Sequence, residues 1–259
     1  MRRLILAALL VAPLAAYAHD ECKYQAPRAM KLDLSGVREV QLEVNSYDLH
    51  VTGSDSATVG DLNGRACASD QKLLEDLTVT QHREGDRLIV ELGGGHRMNI
   101  NLFGNNYTDL DINLQLPSKM PISINVGSGD GWVSGVHTVK GRVGSGDLHL
   151  TDIGDTFIGG VGSGDIDGRN IGRIELGSVG SGDAKFHDIK GDVKVGSIGS
   201  GDVTLVGVGG SVRADTLGSG DLTVRNVRGD FSLGAKGSGD VHKSDISGKV
   251  SVPHDDDDD

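Results

Sequence analysis

Four residues, Gly-Ser-Gly-Asp, occur seven times between Gly127 and Asp240, and their spacing constrains the fold more than any other feature of the chain. The aspartates are Asp130, Asp147, Asp165, Asp183, Asp202, Asp221 and Asp240, separated by 17, 18, 18, 19, 19 and 19 residues. A fixed period of about 20 residues marks a stack of like units, in which each unit touches only its neighbours.

Counting from each aspartate aligns the units. One residue on stand Gly131, Leu148, Ile166, Ala184, Val203, Leu222 and Val241, and six on stand Val136, Ile153, Ile171, Ile189, Val208, Val227 and Ile246. A third apolar position holds Val139, Phe157, Ile174, Val193, Val212, Phe231 and Val250, and a fourth, before the next corner, runs from Val143 to Leu217 before ending at Lys236. The position two residues on, from Trp132 and His149 to Thr223 and His242, has no preferred chemistry and reads as a solvent face. Five on stand Gly135, Asp152, Asn170, Asp188, Gly207, Asn226 and Asp245, the residue types that accept a left-handed backbone, which predicts a second corner.

Each unit is thus two or three short strands with an apolar inner row that it cannot bury alone. Stacking at the strand spacing of about 4.8 Å buries one continuous column. Parallel crossovers are overwhelmingly right-handed. The expected fold is therefore all-β, a right-handed parallel β-helix of about 18–19 residues per coil.

Upstream the pattern fades. Val40, Leu42 and Val44 alternate with Glu39, Gln41 and Glu43, as in a half-buried strand. Ser46-Tyr47-Asp48-Leu49-His50-Val51 reads as a worn copy of Ser145-Gly146-Asp147-Leu148-His149-Leu150, and Asp76-Leu77-Thr78-Val79 echoes Asp221-Leu222-Thr223-Val224. A short helix is predicted near Asp70–Leu74, a strand over Arg87–Leu92, and a Gly/Asn-rich loop over Gly93–Asn106. Residues 1–18 are expected to be a signal peptide, 19–125 a β-rich part whose first residues, to about 36, are a lead-in to degenerate coils, 126–253 the GSGD β-helix continuous with it, and 254–259 an acidic, disordered tail. Lys236, Lys243 and Pro253 are expected to blunt the last sheet edge.

Arg2 and Arg3, an apolar run from Leu4 to Leu14, and Ala16-Tyr17-Ala18 give the leader pattern, with cleavage expected after Ala18. No second apolar stretch follows, so a periplasmic or extracellular chain is expected, without a transmembrane segment. Cys22 lacks the small apolar context of a lipid-modified cysteine. In an exported chain Cys22 and Cys67, the only cysteines, are expected to pair. Net charge is −12, and loss of Arg2 and Arg3 would take it two lower, to −14. That argues against nucleic acid and anionic lipid, which call for basic patches.

Stacked aspartates repel by about 1 kcal/mol per neighbour in water-like surroundings, so something must offset them. One solution is structural: each carboxylate accepts N–H bonds within its own corner, joined by the serine hydroxyl. The other is Ca²⁺, which favours carboxylates and carbonyls on glycine turns. The GSGD phrase lacks the spacing of calcium-binding nonapeptide repeats. The histidines show no ligand-pair spacing beyond a weak amino-terminal His19-Asp20-Glu21 group. No G-x-S-x-G elbow or dinucleotide loop is present. A polysaccharide-active β-helix would call for aromatics and acid pairs, and Trp132 is the only tryptophan.

The exported leader, the strand ending Leu114-Gln115-Leu116-Pro117 and the S-G-D-[LIV]-x-[LV] coils together resemble bacterial adhesin-like domains of unknown function, of the β-strand-repeat and head-GIN types, over about Val37–Val252. The resemblance implies a β-helical, non-enzymatic cell-envelope protein with no catalytic residues to carry over. The expected function is a structural or adhesin-like interaction module binding an unknown protein or surface component, with no cofactor. The alternatives are a Ca²⁺-binding solenoid and a polysaccharide-active enzyme.

Overall fold

The computed structural model describes residues 22–93 and 106–253. The leader, the Gly/Asn-rich loop and the acidic tail expected from the sequence lie outside them, wholly or for the most part. In chain order the elements are β1 (Tyr24–Leu32), β2 (Glu39–Asn45), β3 (Asp48–Ser54), β4 (Gly60–Ala68), α1 (Gln71–Asp76), β5 (Val79–Glu84), β6 (Arg87–Leu92) and β7 (Thr108–Pro117). The GSGD region follows as β8 (Ile122–Val126), β9 (Asp130–Ser134), β10 (Thr138–Val143), β11 (Asp147–Val161), β12 (Asp165–Val179), β13 (Ala184–Ile189), β14 (Val193–Ile198) and β15 (Val203–Val208). The last coils are β16 (Val212–Leu217), β17 (Leu222–Val227), β18 (Phe231–Lys236), β19 (Val241–Ile246) and β20 (Val250–Ser251).

From β8 onward the chain is a parallel β-helix with two sheet faces. One face stacks β8, β10, the second half of β11, the second half of β12, β14, β16, β18 and β20. The other stacks β9, the first halves of β11 and β12, then β13, β15, β17 and β19. The rows counted from each aspartate are the rows the fold builds: Leu148, Ile166, Ala184, Val203, Leu222 and Val241 pair in succession, as do Ile153, Ile171, Ile189, Val208 and Val227. All but Val241, in the terminal coil, are buried.

The second corner also forms. Gly135, Asp152, Asn170, Asp188, Gly207, Asn226 and Asp245 have φ of +68°, +56°, +55°, +59°, +75°, +55° and +57°. Three residues past each aspartate, in the row where Val133, Leu150, Phe186, Leu205 and Val224 are buried, Gly168 makes room for a ring: a Cβ there would stand 2.4 Å from the Phe186 ring, which itself packs 5.9 Å from Phe157.

The amino-terminal part departs from a simple succession of coils. β2 and β3 are a true coil, and the worn copy is in register: Asp48, Leu49, His50 and Val51 pair with Asp130, Gly131, Trp132 and Val133. Yet β6 and β7, later in the chain, stack on the opposite side of that coil, so β2 lies between β6 and β8, and β3 between β7 and β9. The lead-in contains a strand, β1, that pairs antiparallel with β4, and β4 pairs antiparallel with β7. The Asp76–Val79 echo is not a coil. Asp76 ends α1, and Val79 starts β5, which runs antiparallel to β6. α1 is capped by the Asp70 carboxylate, which accepts from Lys72 N–H, and it sends Leu74 into the core together with the adjacent Leu77. Arg28 donates to the carbonyls of Leu74 and Leu77, satisfying the free end of that helix. This hairpin-and-helix layer covers one end of the apolar column, which would otherwise stop at a bare coil.

Candidate functional site

The GSGD corners stack directly over one another. In each, the second glycine leaves no space for a side chain: a Cβ at Gly146, Gly164, Gly182, Gly201, Gly220 or Gly239 would lie 1.7–1.9 Å from the carbonyl oxygen of the equivalent glycine one coil before. The backbone corners are therefore in direct contact, and coil-to-coil bonds such as Ser163 N–H to Gly144 O, 2.7 Å, and Ser200 N–H to Gly180 O, 2.8 Å, tie them together.

This contact sets the chemistry of the aspartates. Oδ1 of Asp130 accepts from Asp147 N–H at 3.1 Å, Asp147 from Asp165 at 3.2 Å, and Asp165 from Asp183 at 2.8 Å. Asp183, Asp202 and Asp221 accept in turn from Asp202, Asp221 and Asp240 at 3.1, 2.8 and 3.1 Å. The donors thus come from the next coil, not from the aspartate's own corner, and the corner serines face solvent, with Ser238 bonded to Ser219 at 3.3 Å. The reason is steric: once the glycines bring the two corners into contact, the nearest free N–H belongs to the coil above.

The row extends beyond the seven repeats, since Asp48 pairs with Asp130 on one side and Asp111 on the other. Burial pushes the Asp48 carboxyl above its usual value, and the nearby Asp130, Asp109 and Asp111 charges add to the rise. Farther along, burial also pushes Asp183 upward. The Lys185 ammonium, 3.0 Å away, and the Asp202 N–H outweigh it and hold the carboxyl below the usual range.

Beside the aspartate row runs a feature not singled out from sequence. His50, Trp132 and His149, two residues past Asp48, Asp130 and Asp147, are stacked face to face, with ring centroids 4.3 and 5.5 Å apart and planes within 11° and 21°. His50 Nε2 lies 3.7 Å from Asp111 Oδ1, which has no hydrogen-bond partner among the described residues, and His149 Nδ1 lies 3.8 Å from Asp167. The signal was present: the three rings occupy one row once the register is known. Parallel pairing then puts them one strand spacing apart, with their faces against each other and their edges outward.

Cys22 and Cys67 form a disulfide, Cα–Cα 5.7 Å, that fastens the start of β1 to β4. Among the described residues no three His, Cys, Asp or Glu side chains are placed to hold a metal ion, and no helix is long and apolar enough to cross a membrane. His19, Asp20 and Glu21 lie outside the described residues.

Several solved structures are similar to this chain. A candidate adhesin from Parabacteroides distasonis is 17% identical, with 88% of this chain and 96% of that one covered and a TM-score of 0.46. A candidate lipid-binding protein from the same organism is 15% identical, covering 88% and 97%, with a TM-score of 0.40. A candidate adhesin from Bacteroides fragilis is 14% identical, covering 89% and 98%, with a TM-score of 0.33. No protein of curated function matches significantly. The sequence matches the family described as Toastrack DUF4097 over residues 37–259, a span that holds β2, β3 and every GSGD coil. The chain belongs to the Toastrack DUF4097 family.

Proposed function

We propose that the chain is an exported, non-enzymatic interaction module of the cell envelope, a stiff rod that presents ordered rows of side chains to a partner. The observation that carries this reading is the coil-to-coil aspartate ladder. It spends one oxygen of each bonded carboxylate on the backbone, so these residues lock the spacing of the coils. Outward rows are then held at a fixed repeat of about 4.8 Å, and little entropy is lost when a partner engages several at once. The disulfide between Cys22 and Cys67 suits an oxidising compartment. The test is retention of the purified, leader-processed chain on isolated envelope fractions and cell surfaces. Saturable retention supports the module, and its absence from every fraction argues against it.

A second reading, a Ca²⁺-binding solenoid, draws on the other oxygen of each ladder aspartate, Oδ2, which the ladder bonds leave aside and which at Asp183 accepts from Lys185. A cation bound by the folded chain must raise its melting temperature by mass action. Equal melting in EDTA and in millimolar CaCl₂ removes this reading.

A further inference from the structure

The left-handed corner carries two adjacent rows. The first runs Asn170, Asp188, Gly207, Asn226 and Asp245. The second, two residues on, holds Lys190, Gly209 and Arg228, joined through backbone bonds from Gly209 N–H to Ile189 O and from Arg228 N–H to Val208 O. In the coil that starts at Asp202 both positions are glycine, so both rows lose their side chains in the same coil. The result is a notch in the middle of an open groove of about 760 Å³ on the side of the rod, lined by residues from Asn170 to Ser247 and within the size range of small-molecule sites. Asp188 and Lys190 lie on one side of the glycines, and Asn226, Arg228, Asp245 and Ser247 on the other.

The walls are chemically asymmetric. Asp188 is answered by Arg169, 3.3 Å away. Lys190 and Arg228 make no ion pair or side-chain hydrogen bond among the described residues. Both cations line the same groove, on a chain of net charge −12. They sit two coils apart, about 10 Å between backbones by strand spacing, a distance their long side chains can close onto one anionic group. A bare anion would also meet the Asp188 and Asp245 carboxylates. A ligand that adds hydroxyl donors turns those carboxylates, and the Asn226 amide, into partners.

We propose that the notch at Gly207 and Gly209 binds an acidic saccharide, a hydroxylated ring bearing a carboxylate or a phosphate. Lys190 and Arg228 hold the anionic group, and Asp188 and Asn226 hold the hydroxyls. The inference deepens the interaction-module reading by naming a ligand class for one corner of the rod, and it rests on that reading for its biological setting.

Gly207 supplies a clean test. A Cβ there meets nothing closer than Asp188 Oδ1 at 3.4 Å, and Asn170 and Asn226 already adopt the same left-handed backbone in equivalent corners. Gly207→Asn therefore fills the notch with the side chain that Asn226 carries in the next coil, and because asparagine tolerates this backbone the chain should still fold, with little change in melting temperature. D-glucuronate, glucose 6-phosphate, inorganic phosphate and glucose are titrated against the whole chain by calorimetry or amide NMR. The expected result is saturable binding of glucuronate or glucose 6-phosphate, with phosphate and glucose each weaker by about ten-fold or more. Gly207→Asn and Arg228→Gln should each weaken that binding about ten-fold or more, as loss of the space or of a charge-assisted bond requires, and added salt should weaken it further. A carboxylate source is distinguished from a phosphate source by which of the two acidic sugars binds. The inference is overturned if neither acidic sugar saturates, if phosphate alone binds as tightly, or if Gly207→Asn binds as well as the parent. Envelope retention of the parent and of Gly207→Asn separates the two readings: equal retention without sugar binding sinks the notch and leaves the module standing, and sugar binding without retention does the reverse.

Discussion

Asp165 Oδ1 accepts the backbone N–H of Asp183 at 2.8 Å, while the N–H of Asp165 itself donates to Asp147 at 3.2 Å. Asp165 is therefore acceptor for one coil and donor to another. The bond, and not the charge, is what the corner needs. Asp165→Asn keeps an acceptor oxygen and removes repulsion from its row neighbours. Its unfolding free energy in urea should stay within about 0.5 kcal/mol of the parent or exceed it. Asp165→Ala strands the Asp183 N–H in a half-buried corner and should cost about 1–2 kcal/mol. Equal losses for both variants would show that the charge matters instead.

The first glycine of one corner, Gly162, and the second glycine of the next, Gly182, should differ sharply in tolerance. A Cβ on Gly182 would lie 1.7 Å from Gly164 O, backbone against backbone, so the coils would have to part. Gly182→Ala should cost about 3–5 kcal/mol, in the range of severe packing defects. At Gly162 the nearest atom, Gly144 O, is 3.0 Å away, and Gly162→Ala should cost about 1 kcal/mol, the ordinary size for a point change. Melting of the two variants in parallel checks the ordering.

Asp48 gives a pH-dependent expectation. Burial and the Asp130, Asp109 and Asp111 charges raise its folded pKa above the ordinary 3.8, so the folded chain holds this proton more tightly than the unfolded one. Ionisation then costs stability as pH rises through the window above 3.8, and the cost is complete above the folded pKa. Asp48→Asn should stabilise the chain at pH 7 by less than about 1 kcal/mol, the size of one screened like-charge repulsion, and lose that advantage well below pH 3.8. Asp183 has the opposite sign. Its folded pKa lies below the ordinary 3.8, so it adds stability that is present above that value and lost as pH falls through the folded pKa.

The Cys22–Cys67 bond closes a loop of 45 residues between the start of β1 and β4. In the chain-entropy account such a closure is worth about 4 kcal/mol. Dithiothreitol, or the double Cys→Ser variant, should lower the melting temperature, and hydrogen exchange should rise first in β1 and β4, where the bond anchors the edge of the sheet.

The ring stack and the antiparallel layer mark where sequence reading ended. His50, Trp132 and His149 can be counted into one row, but their row reads as featureless until pairing places ring on ring. The residues around Thr78 echo a coil, yet α1 and the turn at Gly85 carry them into a hairpin with β6.

The sequence by itself determined the coil length, both corners, the register of the Asp48 copy and the inward rows counted from the aspartates, though not the buried row Leu176, Val195, Ala214 and Leu233. Each of these depends on side-chain size, alternation and the backbone freedom of Gly, Asn and Asp, all of which are local. Only the tertiary structure decided that β6 and β7 slip in on the far side of β2 and β3, that β1, β4 and β5 run antiparallel there, and that each aspartate answers the coil above it. Alternation tells a strand which face to bury but says nothing of which neighbour it meets or in which direction. That choice is made where the column ends and its last apolar row must be covered.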